Sequence, residues 1–138
     1  MPRSRTHFYS HYVWATKKRE MVLTPEWKPS IYGCIHNECR HLGCTVIALG
    51  GMPDHVHLLV EVPSNRAPMD IVKQAKGVSA RYANGMLPLT LFLKWQEGYD
   101  GTSVSPAHVP RVTSYIENQE AHHRDGDLWK DWEPALEE

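Results

Sequence analysis

The chain has 138 residues, enough for one domain with its own core and too few for a metal-hydrolase barrel of about 200 residues or more. No run approaches the roughly 20 apolar residues that span a bilayer and no basic-plus-apolar leader opens the chain, so a single cytoplasmic domain over residues 1–138, without a membrane partner, is expected. The net charge of −1 excludes a strongly basic protein, yet acids crowd into residues 124–138, a tail that also holds Trp129 and Trp132, and what precedes it is mildly basic.

Residues 6–16 are rich in aromatic and β-branched side chains (Phe8, Tyr9, Tyr12, Val13, Trp14) and predict a strand. Pro29 would break a helix interior, so the first helix is expected to begin there. Ile31, Ile35, Glu38 and Leu42 trace one side, and Gly43 is a candidate left-handed stop. Cys34 and Cys39 point about 140° apart on such a helix, so they cannot share a metal. The odd count of three cysteines argues for reduced thiols.

Residues 45–49 predict a second strand, ended by Gly50-Gly51. Met52-Pro53-Asp54 reads as a turn. From Val56 the apolar residues recur at every second place (Val56, Leu58, Val60, Val62), the period of a strand with one buried face. The opposite face carries His55, His57, Leu59 and Glu61. Two imidazoles on one strand face at its entrance can converge on one ion or phosphate where solvent reaches; they can equally be surface histidines on a polar face.

Pro68 opens a second helix with Met69, Val72, Ala75 and Tyr82, expected to stop near Gly85. Residues 91–96 predict a fourth strand, continued after an Asp100-Gly101 turn by residues 102–104. Pro110 suits the first turn of a third helix within residues 109–123, with Val109, Val112 and Ile116 as its apolar stripe. Tyr115 and Gln119 are one turn apart and share a side, with His122 and His123 beyond them. Alone, that pair reads as well as a core aromatic and a solvated amide. The order β-α-β-β-α-β plus a helix suggests an α+β sandwich, with helices on one face of an antiparallel sheet.

His55-Val56-His57 on a strand followed by Tyr115-Ile116-Glu117-Asn118-Gln119 on a helix resembles the single-tyrosine HUH transposases, small enzymes that move insertion sequences as single-stranded DNA. Pro53-Asp54-His55-Val56-His57-Leu58-Leu59 matches the family's strand. The run from Val72 to Arg81 is similar to its middle helix, and Trp95-Gln96-Glu97-Gly98-Tyr99 to the strand before the tyrosine helix. Ser103-Val104-Ser105 and Asn118-Gln119-Glu120-Ala121-His122-His123 resemble the REP-associated tyrosine transposase subgroup. The resemblance implies a ferredoxin-like core with an added C-terminal helix carrying the tyrosine. It implies Tyr115 as nucleophile, His55, His57 and Gln119 as ligands of a divalent Mg²⁺ or Mn²⁺ ion, and a 5′-phosphotyrosine intermediate formed without ATP. Single-stranded DNA with hairpins is the implied substrate and a homodimer the implied assembly. In some members the tyrosine helix of one subunit completes the histidine site of the other.

Imidazole ligands suit Mn²⁺ better than Mg²⁺. Asp54 is a candidate to orient a histidine or simply forms the turn. Lys73, Lys76, Ser79 and Arg81 are candidate DNA contacts or else surface and packing residues, and Trp95 and Tyr99 are candidate base-stacking rings. A domesticated relative that binds hairpin DNA without moving it is one rival. A non-catalytic nucleic-acid module is another, though the 55–59 strand lacks the exposed aromatics of an RNA-recognition sheet.

Overall fold

The computed structural model describes residues 4–125, without the side chains of Glu120, His122 and Asp125; most of the acidic tail, with Trp129 and Trp132, lies outside the described residues. The chain runs β1 (Phe8–Ala15), a 3-10 turn (Lys17–Arg19), α1 (Lys28–His41), β2 (Thr45–Met52), β3 (His55–Val62), α2 (Pro68–Met86), β4 (Asp100–Val104), a 3-10 turn (Pro106–His108), α3 (Val109–Glu117) and α4 (Gln119–Asp125). The β-α-β-β-α-β order stands as expected.

The four strands form one sheet in the order β2-β3-β1-β4, every neighbouring pair antiparallel. β3 therefore lies between β1 and β2, paired on both edges, which holds its side chains in fixed register. The period-two pattern splits its residues as expected. Val56, Leu58 and Val60 pack with Tyr12 and Trp14 of β1 and with Ile31 and Ile35 of α1 and Ile71, Val72 and Ala75 of α2. Gly43 ends α1 with a φ of 84°, a left-handed position that favours glycine. Among the described residues no helix is long and apolar enough to cross a membrane.

Four expectations are corrected. The sheet is not open on its second face. α3 covers it, and Val112 and Ile116 form a small second core with Ala48 and Leu59. Helices therefore lie on both faces.

Gly50 and Gly51 do not end β2 but carry it on to Met52. A Cβ on Gly50 would stand 2.6 Å from the Ile116 carbonyl oxygen. The missing side chain is what lets α3 approach the sheet this closely.

Residues 91–96 are not the fourth strand; β4 is Asp100–Val104 alone, and the earlier segment makes a single bridge, Thr16 to Trp95. Side chains of α2 take its backbone groups instead. The Asn84 amide both donates to the Leu93 carbonyl (2.8 Å) and accepts from its N–H (2.7 Å). The Lys76 ammonium donates to the Gln96 and Gly98 carbonyls at 2.7 and 2.9 Å.

The last helix is two. Asn118 leaves helical geometry at φ −110°, ψ 30°, and its amide donates to the Ser114 carbonyl at 2.7 Å. This is the competition with backbone pairing that makes asparagine a helix terminator.

Candidate active site

Register fixes the site. His55 and His57 stand opposite Ala15 and Val13 of β1 and opposite Met52 and Gly50 of β2. Their rings lie 5.1 Å apart between centroids. Because Gly50 faces His57, the end of α3 can lie over the pair, and the Tyr115 ring comes within 5.8 Å of the His57 ring in the same chain. Gln119, first residue of α4, brings its Oε1 to 3.2 Å from His55 Nε2. Its Nε2 amide N–H donates to the Tyr115 carbonyl at 3.4 Å, which orients the side chain. The two sequence stretches thus converge in one place.

Asp54 orients a histidine as well as forming the turn. Its Oδ1 accepts from His55 Nδ1 at 2.8 Å, and its Oδ2 accepts from Arg19 Nε at 3.0 Å. Burial alone would push the Asp54 carboxyl up; the hydrogen bond and charge of His55 and the Arg19 guanidinium outweigh it and hold the group below its ordinary value. With Nδ1–H given to Asp54, a neutral His55 turns a lone pair at Nε2 toward the Gln119 oxygen. Two lone pairs facing across 3.2 Å need a proton or a cation between them. Neighbouring ligands of one ion with bonds of about 2.1 Å would stand about 3 Å apart, so His55 Nε2 and Gln119 Oε1 are spaced as two ligands of one divalent ion would be. Among the described residues no cluster of three or more His, Cys, Asp or Glu side chains could hold a metal; the set here is two imidazoles and an amide oxygen.

Sequence reasoning missed His11 and Arg19. His11 sits on β1 diagonally from His57 and is buried; its Nε2 lies 2.9 Å from His57 Nδ1, with the rings stacked at 5.1 Å. For His57 to offer a lone pair at Nε2, its Nδ1–H must donate to His11. The signal was present as a histidine at an alternate place in a strand of otherwise apolar core residues. His123 joins the group, with Nε2 at 3.2 Å from Gln119 Oε1 and its ring 5.1 Å from His55. The His122 side chain lies outside the described residues.

Solvent does not reach these groups as expected. His55 and His57 are 0% exposed, Tyr115 1% and Gln119 2%. A cleft of about 560 Å³ borders Gln119, lined by Lys28, Tyr32, Gly50, Gly51, Asn118 and Arg124 among others.

The middle-helix candidates do not join the site. α2 lies across the sheet from the histidines, so exposed Lys73 and Arg81 face away from them. Lys76 holds the 96–98 loop, and burial pushes its ammonium pKa down. Ser79 is fully buried and accepts from the Trp95 indole at 3.1 Å, which makes it a packing residue. Trp95 is itself core, edge-on to Trp14.

The family profile described as Transposase IS200 like matches residues 4–119. The ISDra2 transposase TnpA of Deinococcus radiodurans is 32% identical over 127 residues, spanning 86% of this chain and 91% of that protein. A candidate transposase from Deinococcus radiodurans R1, solved by crystallography, superposes with a TM-score of 0.69 at 31% identity, covering 86% of this chain and 98% of the other. A REP-associated tyrosine transposase bound to a REP hairpin shares the fold at a TM-score of 0.65 and 13% identity, over 93% of this chain and 76% of that one. With a profile match across most of its length and a relative above 30% identity over most of both chains, this chain belongs to the IS200-like transposase family.

Proposed function

We propose that this transposase cleaves and rejoins single-stranded DNA through a covalent 5′-phosphotyrosine on Tyr115, with a divalent ion held by His55, His57 and Gln119. The observation that carries the reading is the convergence of Tyr115 and Gln119 on the two strand histidines, far apart in sequence and joined by no structural need. A core aromatic requires no imidazole pair beneath it, and buried imidazoles more simply give way to apolar side chains.

The Tyr115 oxygen attacks the phosphorus, a P–O bond to tyrosine forms, and the bond to the 3′ oxygen breaks. The phenolic proton passes, directly or through solvent, to the leaving oxygen, freeing a 3′-hydroxyl. That hydroxyl later attacks another phosphotyrosine, so strands rejoin and no ATP is consumed. A bound Mg²⁺ or Mn²⁺ supplies Lewis-acid polarisation of the phosphate oxygen. Asp54 and His11 hold the imidazoles in register, and Gln119 orients both the ion shell and, through the Tyr115 carbonyl, the end of α3. Because the four residues are buried, a phosphate enters only when α3 and α4 part from the sheet, and the cleft beside Gln119 is the natural approach. The small second core under α3 makes that opening inexpensive.

The test is incubation with labelled hairpin-bearing single strands and Mg²⁺ or Mn²⁺. A denaturation-resistant protein–DNA adduct is expected, with the nucleotide on the peptide holding Ser114-Tyr115-Ile116. An adduct on Tyr99 or Tyr82 would overturn the assignment. Binding of hairpin DNA with no cleavage under any ion would favour a domesticated DNA-binding role instead.

A further inference from the structure

The 3-10 turn after β1 carries a surface that the chemistry above does not use. Lys17, Lys18 and Lys94 line a crevice of about 190 Å³ with Glu20, Val22 and Phe92. Phe92 is 63% exposed. The two chain segments are tied by the Lys17 N–H, which donates to the Lys94 carbonyl at 2.8 Å. Among the described residues that line it, three are lysines and one is a carboxylate, Glu20, around the exposed Phe92 ring.

The backbone here is unusual. Lys18 and Arg19 both adopt a φ of 56°, in the left-handed region. Side chains other than glycine, asparagine and aspartate seldom go there, and such strain persists where surrounding structure imposes it, often at functional sites. The result divides consecutive cations. Lys18 lines the outer crevice, whereas Arg19 turns inward to Asp54. The turn is also anchored to the histidine strand, since the Thr16 N–H donates to the Asp54 carbonyl at 2.9 Å. The crevice therefore opens at the same end of the sheet as His55, one side-chain link away from it.

We infer that this crevice binds the single-stranded DNA flanking the cleaved phosphate, with Lys17, Lys18 and Lys94 on backbone phosphates and Phe92 stacked on a base. A positive groove with an exposed aromatic is the arrangement that holds single strands without reading sequence. Duplex DNA would leave Phe92 without a partner, because its bases are already stacked. The inference rests on the proposed function, but its test does not require cleavage.

The parent protein for that test is the full chain carrying Tyr115→Phe, in EDTA, titrated against a fluorescent oligothymidylate at several salt concentrations. Lys17→Ala with Lys94→Ala is expected to weaken binding about tenfold or more. It should also lower the slope of log affinity against log salt by about 1.4, the loss of two single-strand phosphate contacts. Phe92→Leu should weaken binding about fivefold or more with the slope kept, as loss of stacking predicts. All these side chains are exposed, so unchanged thermal melting is the folding control. Variants that bind like the parent overturn the crevice while leaving the proposed function standing. An equal loss toward duplex of the same length overturns the single-strand assignment. If the crevice variants lose binding but the unmutated chain never forms a covalent adduct, the crevice stands and the proposed chemistry falls.

Discussion

His11 and Asp54 each engage Nδ1 of one strand histidine, and that detail decides whether Nε2 of each is left with a lone pair. Replacing Asp54 by Asn keeps the shape and removes the carboxylate that takes the His55 Nδ1 proton. His11→Phe keeps a buried ring and removes the acceptor beside His57 Nδ1. Each change is expected to weaken Mn²⁺ binding about 10- to 100-fold, measured by calorimetric titration. The fold should survive, as judged by circular dichroism. The accompanying change in tautomer is readable from the imidazole ¹⁵N shifts of the metal-free protein; unchanged shifts and affinity would remove the orienting role. Tyr115→Phe separates nucleophile from core ring. Binding of single-stranded DNA should persist while cleavage and the covalent product vanish together, and cleavage that persists in this variant means the helix has been misread. His55→Ala with His57→Ala should abolish divalent-ion binding. Both positions are fully buried, so this double change also costs stability, unlike the mild effect expected of an open strand face.

Elements bring these residues together, and Gly50 is the hinge of that packing. Gly50→Ala places a methyl against the Ile116 carbonyl. Overpacking of this kind costs about 1–3 kcal/mol, and here it lifts α3 from the histidines. Reduced thermal stability and a marked drop in cleavage should appear together, with α1 and α2 unaffected in hydrogen exchange. On the other side of the sheet, Cys39 of α1 is buried, which with the nearby Cys44 and Glu38 pushes its thiol from 9.0 up to about 12. A raised folded-state value favours the folded chain while the thiol is protonated. That contribution is complete below about pH 9 and is lost as pH climbs toward about 12, because the unfolded chain ionises first. Stability measured by denaturant titration should fall across that window, and Cys39→Ala should make the fall shallower.

For the whole molecule, a two-fold dimer is the assembly that the resemblance implies; if it forms, sedimentation at micromolar concentration gives about twice the 15.8 kDa chain mass, and a monomer mass would remove it. Tyr115 and His57 meet within one chain in this structure. Mixing Tyr115→Phe chains with His57→Ala chains reports whether α3 and α4 exchange between subunits. Restored cleavage means exchange; none in proven mixed dimers means each site is built from one chain.

The sequence by itself determined the strand and helix that carry the candidate site residues, because period-two alternation from Val56 and the Pro110 helix start are local signals. His55, His57, Tyr115 and Gln119 were legible as types and spacings, and the β-α-β-β-α-β order followed from the same patterns. Tertiary structure decided the rest. Burial of the histidine face depends on α3 docking over Gly50, a contact between segments far apart in the chain. His11 meets His57 through strand register and Arg19 meets Asp54 through a left-handed turn, so although the strand pattern marks His11 as unusual, the partner of each is set only in space. Leu91 to Gln96 reads as a strand by composition yet pairs with Asn84 and Lys76 side chains, since hydrogen-bond partners are chosen in space. The break at Asn118 likewise became visible only where its amide met the Ser114 carbonyl.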